Sequence, residues 1–203
     1  MRLDIFYVTL SMLKACSYRS TKSKRRKLPV AFSSLLNGKL NYMVLIKLLY
    51  LLDRASFLKW GRPVTFDHYY SMKHGPVLSE VHDLITEMTP PFERGYWHEH
   101  ISAPVDWSVS LRAPTQFDAL SEAELELIQA VFEKYKPYFA NDPFKLVDLL
   151  HETLPEWQEV KSGRIPLPHR DILAAGKKSE EEIVAIEDEL ESLASDYRIL
   201  LTR

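Results

Sequence analysis

The segment Asn41–Trp60, NYMVLIKLLYLLDRASFLKW, constrains this chain more than any other. Met43, Ile46, Leu49 and Tyr50 recur at helical spacing and Phe57 continues the stripe. Leu45, Leu48, Leu51 and Leu52 widen it almost all the way round. A helix with no polar face to offer water belongs at the centre of a domain, with the other elements arranged about it. Asn41 is a good N-cap, Trp60-Gly61 is a stop, and Pro63 prevents the helix from resuming. Lys47, Asp53 and Arg54 are its few polar interruptions.

The segments that follow are short and heavily punctuated. Phe66 to Met72 reads as an aromatic-rich strand, and Gly75-Pro76 as a corner that opens a helix with Val77, Val81, Leu84 and Ile85 on its apolar face. Thr89-Pro90-Pro91 stops that helix. Val105, Trp107, Val109 and Leu111 alternate with polar residues, which predicts a strand with one buried face, paired with Phe66–Met72 or with His98–Ile101. Pro29 to Leu36 reads as a short helix ended at Gly38. Ser121-x-x-Glu124 is a capping box for a helix through about Tyr135, and Asp142-Pro143 starts another that reaches about His151. Pro155 begins a further turn that carries Trp157. Residues 162–178 read as irregular, and Ser179-x-x-Glu182 opens a last helix. There Ile183, Ile186, Leu190, Leu193, Tyr197 and Leu200 form a heptad-like seam of about two and a half repeats, short for a free-standing coiled coil. Two destinations are open to it: the chain's own domain, or a partner helix such as that of a second copy. The expected fold class is α+β, mainly α-helical, with a small antiparallel β-hairpin or sheet.

Charge is unevenly placed. Residues 1–40 hold nine Lys/Arg and one acidic residue, whereas residues 41–203 hold 17 and 27. The basic excess lies in Arg19, Lys22, Lys24, Arg25, Arg26 and Lys27. Such a run is either a solvated leader or an arm for nucleic acid or an acidic protein surface. The acidic body argues against nucleic acid as the main ligand. No apolar run reaches the length of a membrane span. The apolar stretch Ile5–Leu13 precedes its basic run, the reverse of a signal peptide, and Lys14 spoils the resemblance of the Cys16 context to a lipoprotein site. A single cysteine fits a reducing cytoplasm.

Nothing in the chain spells out chemistry. Its six glycines are scattered and make neither a P-loop nor a dinucleotide fingerprint, and no Ser sits in a Gly-x-Ser-x-Gly elbow. No enzyme activity, cofactor or metal is expected. His98 and His100 would share a face if they lay on a strand, as the ligands of a metal-dependent hydrolase can, and His68, His74 and His82 lie nearby in sequence. Exposed or hydrogen-bonded histidines explain them more simply. Lys73 and His74 before Gly75-Pro76 suggest an anion niche at a helix start, with a plain corner as the alternative. Lys47 and Asp53 read either as functional groups or as a mutually satisfied polar pair.

Asn41-Tyr42-Met43, Leu45 to Tyr50, Asp53-Arg54, Trp60-Gly61-Arg62-Pro63, Tyr69 to Met72 and His74 to Leu78 occur in an order and spacing that resembles the Panacea domain of SocA-like antitoxins, also seen in phage-associated GepA-type proteins. The Leu120 to Glu124 helix start and the His151 to Trp157 segment fit the second half of that domain. The resemblance covers roughly residues 30–160, so that 29–160 are expected as the Panacea-like domain; outside it, charge and periodicity give residues 1–28 as a basic leader and 161–203 as a loop and amphipathic helix packed on the domain or on a partner. It also implies a bacterial or prophage cytoplasmic antitoxin, not an enzyme, that neutralises a cognate toxin protein by direct binding. One member instead hands its toxin to the ClpXP protease. An operator-binding role for the basic arm and a homo-oligomer through the last helix are the remaining alternatives. Candidate contact or signature positions are Lys47, Tyr50, Asp53, Tyr70, Lys73, His74, Gly75 and Pro76. No catalytic residue carries over.

Overall fold

Helix α1 (Tyr42–Trp60) is the axis of the molecule. The computed structural model describes residues 31–32, 38–86, 97–112 and 120–201, with side chains as far as Leu193. The basic run, Cys16, most of the expected Pro29–Leu36 helix, the Thr89-Pro90-Pro91 stop and the side chains of Tyr197 and Leu200 lie outside those residues.

As its composition demands, α1 buries twelve of its 19 residues, and Lys47 and Asp53 are among the twelve. Asn41 caps it by accepting from Met43 N and Val44 N, and Gly61 closes it with φ at 68°. Around it pack the remaining helices and hairpins: α2 (Ser79–Ile85), α3 (Glu122–Phe139), α4 (Pro143–Thr153), α5 (His169–Ala175) and α6 (Glu180–Leu201). The strands are β1 (Lys39–Asn41), β2 (Tyr69–Met72), β3 (Gly75–Leu78), β4 (Ser108–Ser110) and β5 (Ile165–Pro166). They make a two-stranded sheet, β1–β4, and a three-stranded sheet in the order β3–β2–β5, all antiparallel. The fold is therefore α+β and mainly helical. Helix α1 contacts α2, α3, α4 and α5 as well as β1 and β3.

Both capping boxes form. Ser121 and Glu124 exchange hydrogen bonds at the start of α3, and Ser179 and Glu182 do so at the start of α6. Asp142 caps α4, with Pro143 in its first turn. The last helix lies back on the domain over its first half: Ile183 is buried in the core, and Ile186 and Leu190 pack against it. Ile186 sits over Gly61, 3.2 Å from where a Cβ would stand. Arg170 on α5 bridges to Glu180 and Glu187 on α6.

Three expectations fail. Gly75-Pro76 does not open a helix but belongs to strand β3, paired with Met72 and Ser71 across a tight Lys73-His74 turn. Proline is tolerated there because β3 is an edge strand of its sheet. The period-two segment 105–111 is not one strand, because the chain reverses at Asp106 and Trp107; Val109 is buried while Val105 and Trp107 face solvent. Its principal partner is β1 rather than β2, although the expected 98–101 region contributes through Ile101–Leu111 bridging. Finally, residues 162–178 contain β5 and α5, which carry too few residues each to show a period.

Asp53 fastens this arrangement. Its buried carboxylate accepts from Val64 N at 2.8 Å, Thr65 N at 2.9 Å, the Thr65 hydroxyl and Tyr69 OH at 2.7 Å. It thereby ties the centre of α1 to the returning loop and to β2. Removing one buried partner strands all the others. Asp53→Ala is expected to lower the free energy of unfolding by about 3–5 kcal/mol, read by urea denaturation; a loss below about 1 kcal/mol would show that the network is dispensable.

Candidate functional site

A cleft of about 590 Å³ opens between α1, the β2–β3 hairpin, the turn before β4 and the start of α4. Its walls are mostly apolar, with Tyr42, Met43, Ile46, Met72, Val77 and Phe144 among them. Lys47 and Gly75 line its inner end, and Lys73, His74, His82, Asp106 and Trp107 also reach it.

The rim is set by a turn that its residues do not favour. Val105 and Ser108 pair at the ends of a two-residue hairpin, with backbone hydrogen bonds of 2.8 and 2.9 Å. The two residues between them, Asp106 and Trp107, have φ of 49° and 61°. Turns with two positive φ values select Asn-Gly, because side chains on Cβ clash there. A tryptophan in the second position stores strain of about 1 kcal/mol or more. Its indole is 71% exposed, with Val105 at 65% and Phe144 at 53%. The Trp107 ring lies 5.8 Å from that of Tyr42, and Phe144 meets His74 edge-on at 6.2 Å. Trp107 is thus held out over the mouth of the cleft at a backbone cost.

Lys47 occupies the inner end. It is only 2% exposed, and its ammonium donates one hydrogen bond, to Pro76 O at 2.8 Å. Among the described residues no carboxylate forms an ion pair with it. Burial alone therefore pulls its pKa down to about 7. Beside it, His151 stacks flat on Trp157, with centroids 3.9 Å apart and an interplanar angle of 6°. Trp157 is pinned in turn by donating Nε1 to Met72 O at 3.0 Å. His151 Nε2 is buried and has no hydrogen-bond partner among the described residues. Burial, followed by the nearby Lys47 charge, lowers the pKa of this imidazole.

The other sequence-derived candidates divide between surface and core. Lys73 and His74 are exposed in the hairpin turn and Pro76 is buried in β3. Tyr70 is half-buried under the Arg164 guanidinium, 4.4 Å from its ring centroid. Tyr50 and Asp53 are buried inside the domain and reach no surface. Tyr50 OH donates to Glu156 at 2.8 Å, alongside Arg54 Nε at 2.7 Å; burial and that carboxylate push the phenol well above its usual range. The suggested Lys47–Asp53 pair does not exist. Positions six apart on a helix face different ways, and each group has its own partners.

The anticipated anion niche at a helix start is also absent. Helix α2 begins at Ser79, beyond Gly75-Pro76, and the carboxylate of Asp67 already takes its Glu80 and Val81 amides at 3.0 and 3.2 Å. His98 and His100 lie on a helical turn over 97–100 rather than a strand, so they do not share a face. Among the described residues no three His, Cys, Asp or Glu side chains converge on a point that would hold a metal ion. No helix among them is long and apolar enough to cross a membrane. Sequence reasoning missed the rim of the cleft: the alternation puts Trp107 on the buried face of a strand, and nothing singles out Phe144. The one available signal was Asp106, a residue type enriched in left-handed conformations.

The family model described as antitoxin SocA-like, Panacea domain, matches residues 45–158, which include most of α1, the hairpin and α4. No curated protein and no solved structure matches the chain.

The Lys47 amine gives the site a pH signature. The unfolded chain keeps this amine protonated up to about 10.5, the folded chain only up to about 7. Between those values folding expels a proton, so stability rises with pH; below about 7 the full cost of the buried charge is present. Lys47→Met carries no such term. Urea denaturation is expected to find the variant's advantage over the native chain greatest near pH 6 and shrinking by about 1.4 kcal/mol per pH unit above 7. A pH-independent difference would mean that Lys47 keeps an ordinary pKa.

Proposed function

Because the chain belongs to the family of SocA-like antitoxins with a Panacea domain, we propose that it neutralises a cognate toxin by direct contact through the Trp107 cleft, acting as a binding protein and not as an enzyme. The family is one of antitoxins, so a toxin is the general class of partner. The observation that carries the cleft reading is the exposed tryptophan held on a strained turn. Protein interfaces concentrate their binding energy in a few Trp, Tyr and Arg anchors beside apolar pockets. Here Trp107, Tyr42 and Phe144 border one. A non-glycine residue kept at positive φ, where glycine would relax the turn, is the kind of strain that accompanies function. Among the described residues, no constellation of nucleophile, base and oxyanion donors competes with this reading.

Co-expression with the product of the neighbouring gene tests the proposal. That product is expected to arrest growth alone and to be harmless beside this chain, with the two proteins co-purifying. Toxin that disappears instead of accumulating in the complex would point to delivery to a protease such as ClpXP. Trp107→Gly should weaken toxin binding by at least about 30-fold, the effect of losing a hot-spot anchor. It should leave thermal stability equal or higher, because glycine relaxes the turn. Unchanged affinity in that variant would remove the cleft as the docking face.

A further inference from the structure

The walls of the cleft restrict the form of whatever docks there. A protein segment meets a groove either by adding a strand to a sheet edge or by laying side chains into it. The sheet edge that borders this cleft is β3. All four of its residues are buried, and α1 and α4 pack against it. Pro76 has no N–H to donate, and its carbonyl is already taken by Lys47 Nζ at 2.8 Å. A strand placed beside β3 finds no open row of backbone groups to pair with. Contact in this cleft is therefore made by side chains.

The side chains on offer suit a knobbed apolar surface. Met43 and Met72, the only methionines among the described residues, both line the cleft, and each is half-buried. An unbranched thioether turns about three bonds and moulds itself to the shape it meets. Two aromatic pairs stand on the rim, Trp107 with Tyr42 and Phe144 with His74. A volume of about 590 Å³ lies in the range that holds a drug-sized molecule, which is room for several side chains and not for one. An amphipathic helix supplies such a cluster, because its apolar residues recur every three or four positions on one face.

Charge at the lip selects the polar face of that helix. Lys73 and His74 are exposed on the hairpin turn. His82 is already met by Asp83 at 3.5 Å, and Asp106 is the one carboxylate among the described residues that line the cleft. Elsewhere acid prevails, with 17 Lys/Arg against 27 Asp/Glu over residues 41–203. An acidic flank is repelled by most of this body and drawn to the Lys73 lip.

We infer that the cleft accepts an amphipathic helix of the partner protein, with its apolar face between the Trp107–Tyr42 and Phe144–His74 pairs and an acidic side chain beside Lys73. The inference rests on the cleft being the docking face and adds the form and charge of what docks.

The test starts from the complex with the neighbouring gene product. Amide hydrogen exchange of that product, free and bound, locates the segment that becomes protected, and the segment is then made as a peptide. Circular dichroism is expected to show the peptide gaining helix when the full chain is added. Phe144→Asp, at an exposed rim position, should weaken the peptide at least about tenfold, as the loss of an anchor does. Lys73→Glu should weaken it by about three- to fivefold, the effect of one exposed charge pair, and replacing the peptide's facing Asp or Glu by Lys should restore binding to that variant. A peptide that fails to bind, or that binds without gaining helix, overturns the inference; the docking face then still stands if Trp107→Gly weakens binding of the whole gene product. Binding that Lys73→Glu leaves unchanged overturns the acidic flank and the inference with it. If Trp107→Gly and Phe144→Asp both bind the gene product as the native chain does, the docking face falls as well.

Discussion

The structure depends on the buried carboxylate of Asp53. A helix apolar on all sides can slide or rotate among apolar neighbours at little cost, since hydrophobic contact has no direction. Hydrogen bonds do have direction. Four donors from residues 64, 65 and 69 converge on Asp53 and set both the rotation of α1 and the path of the returning chain. Burial pushes the pKa of this group up to about 6 against the pull of those donors, a measure of how little solvent reaches it. Tyr69, clamped to Asp53, is the first residue of β2, so the hairpin starts from a fixed point. Asp67, two residues earlier, fixes the start of α2 in the same way.

The cleft inherits its precision from that clamp. With β2 held, the Lys73-His74 turn brings Gly75 over Lys47, about one and a half helical turns before Asp53 on the same helix. Tyr50 lies between them and is tied through Glu156 to the segment after α4. That segment places Trp157, whose indole reaches back to Met72 O and carries the His151 stack. Two ionisable residues on one buried helix thus have opposite fates. Asp53 has all the donors it can use and serves the fold. Among the described residues Lys47 has one acceptor and no ion-pair partner, and it lines a cavity. A buried charge left so poorly compensated is weak evidence for stability and good evidence for a site.

Much of the framework was legible in the residues. The central helix, its Asn41 and Gly61 caps, both capping boxes and the Asp142-Pro143 start all rest on interactions within a few positions, and all formed. The errors share a cause. Gly75-Pro76 is compatible with either a helix start or an edge strand, and pairing with residues 71 and 72 decided between them. The alternation from Val105 to Leu111 promises one strand, but bridging between Val105 and Ser108 folds it into a turn. Short α5 and the two-residue β5 exist because the core and β2 offer them partners, not because their own sequences insist. The C-terminal seam is typical: its apolar spacing announced a buried stripe, whereas the surface of α1 around Gly61 settled where its first half lies.

By itself, then, the sequence determined the long helices, which of them is central, the α+β class and the kinship with a family of antitoxins. All of these are carried by periodicity, capping and local order. Only the tertiary structure decided that Lys47, Gly75 and Trp107 gather at one cleft and that Tyr50 and Asp53 do not. These residues are separated by tens of positions along the chain, and no local pattern records a meeting that depends on how separate elements pack. The unfavourable terms of the site, a tryptophan at positive φ and a lysine taken out of water, are visible only there, because strain and desolvation are properties of a folded neighbourhood and not of a residue.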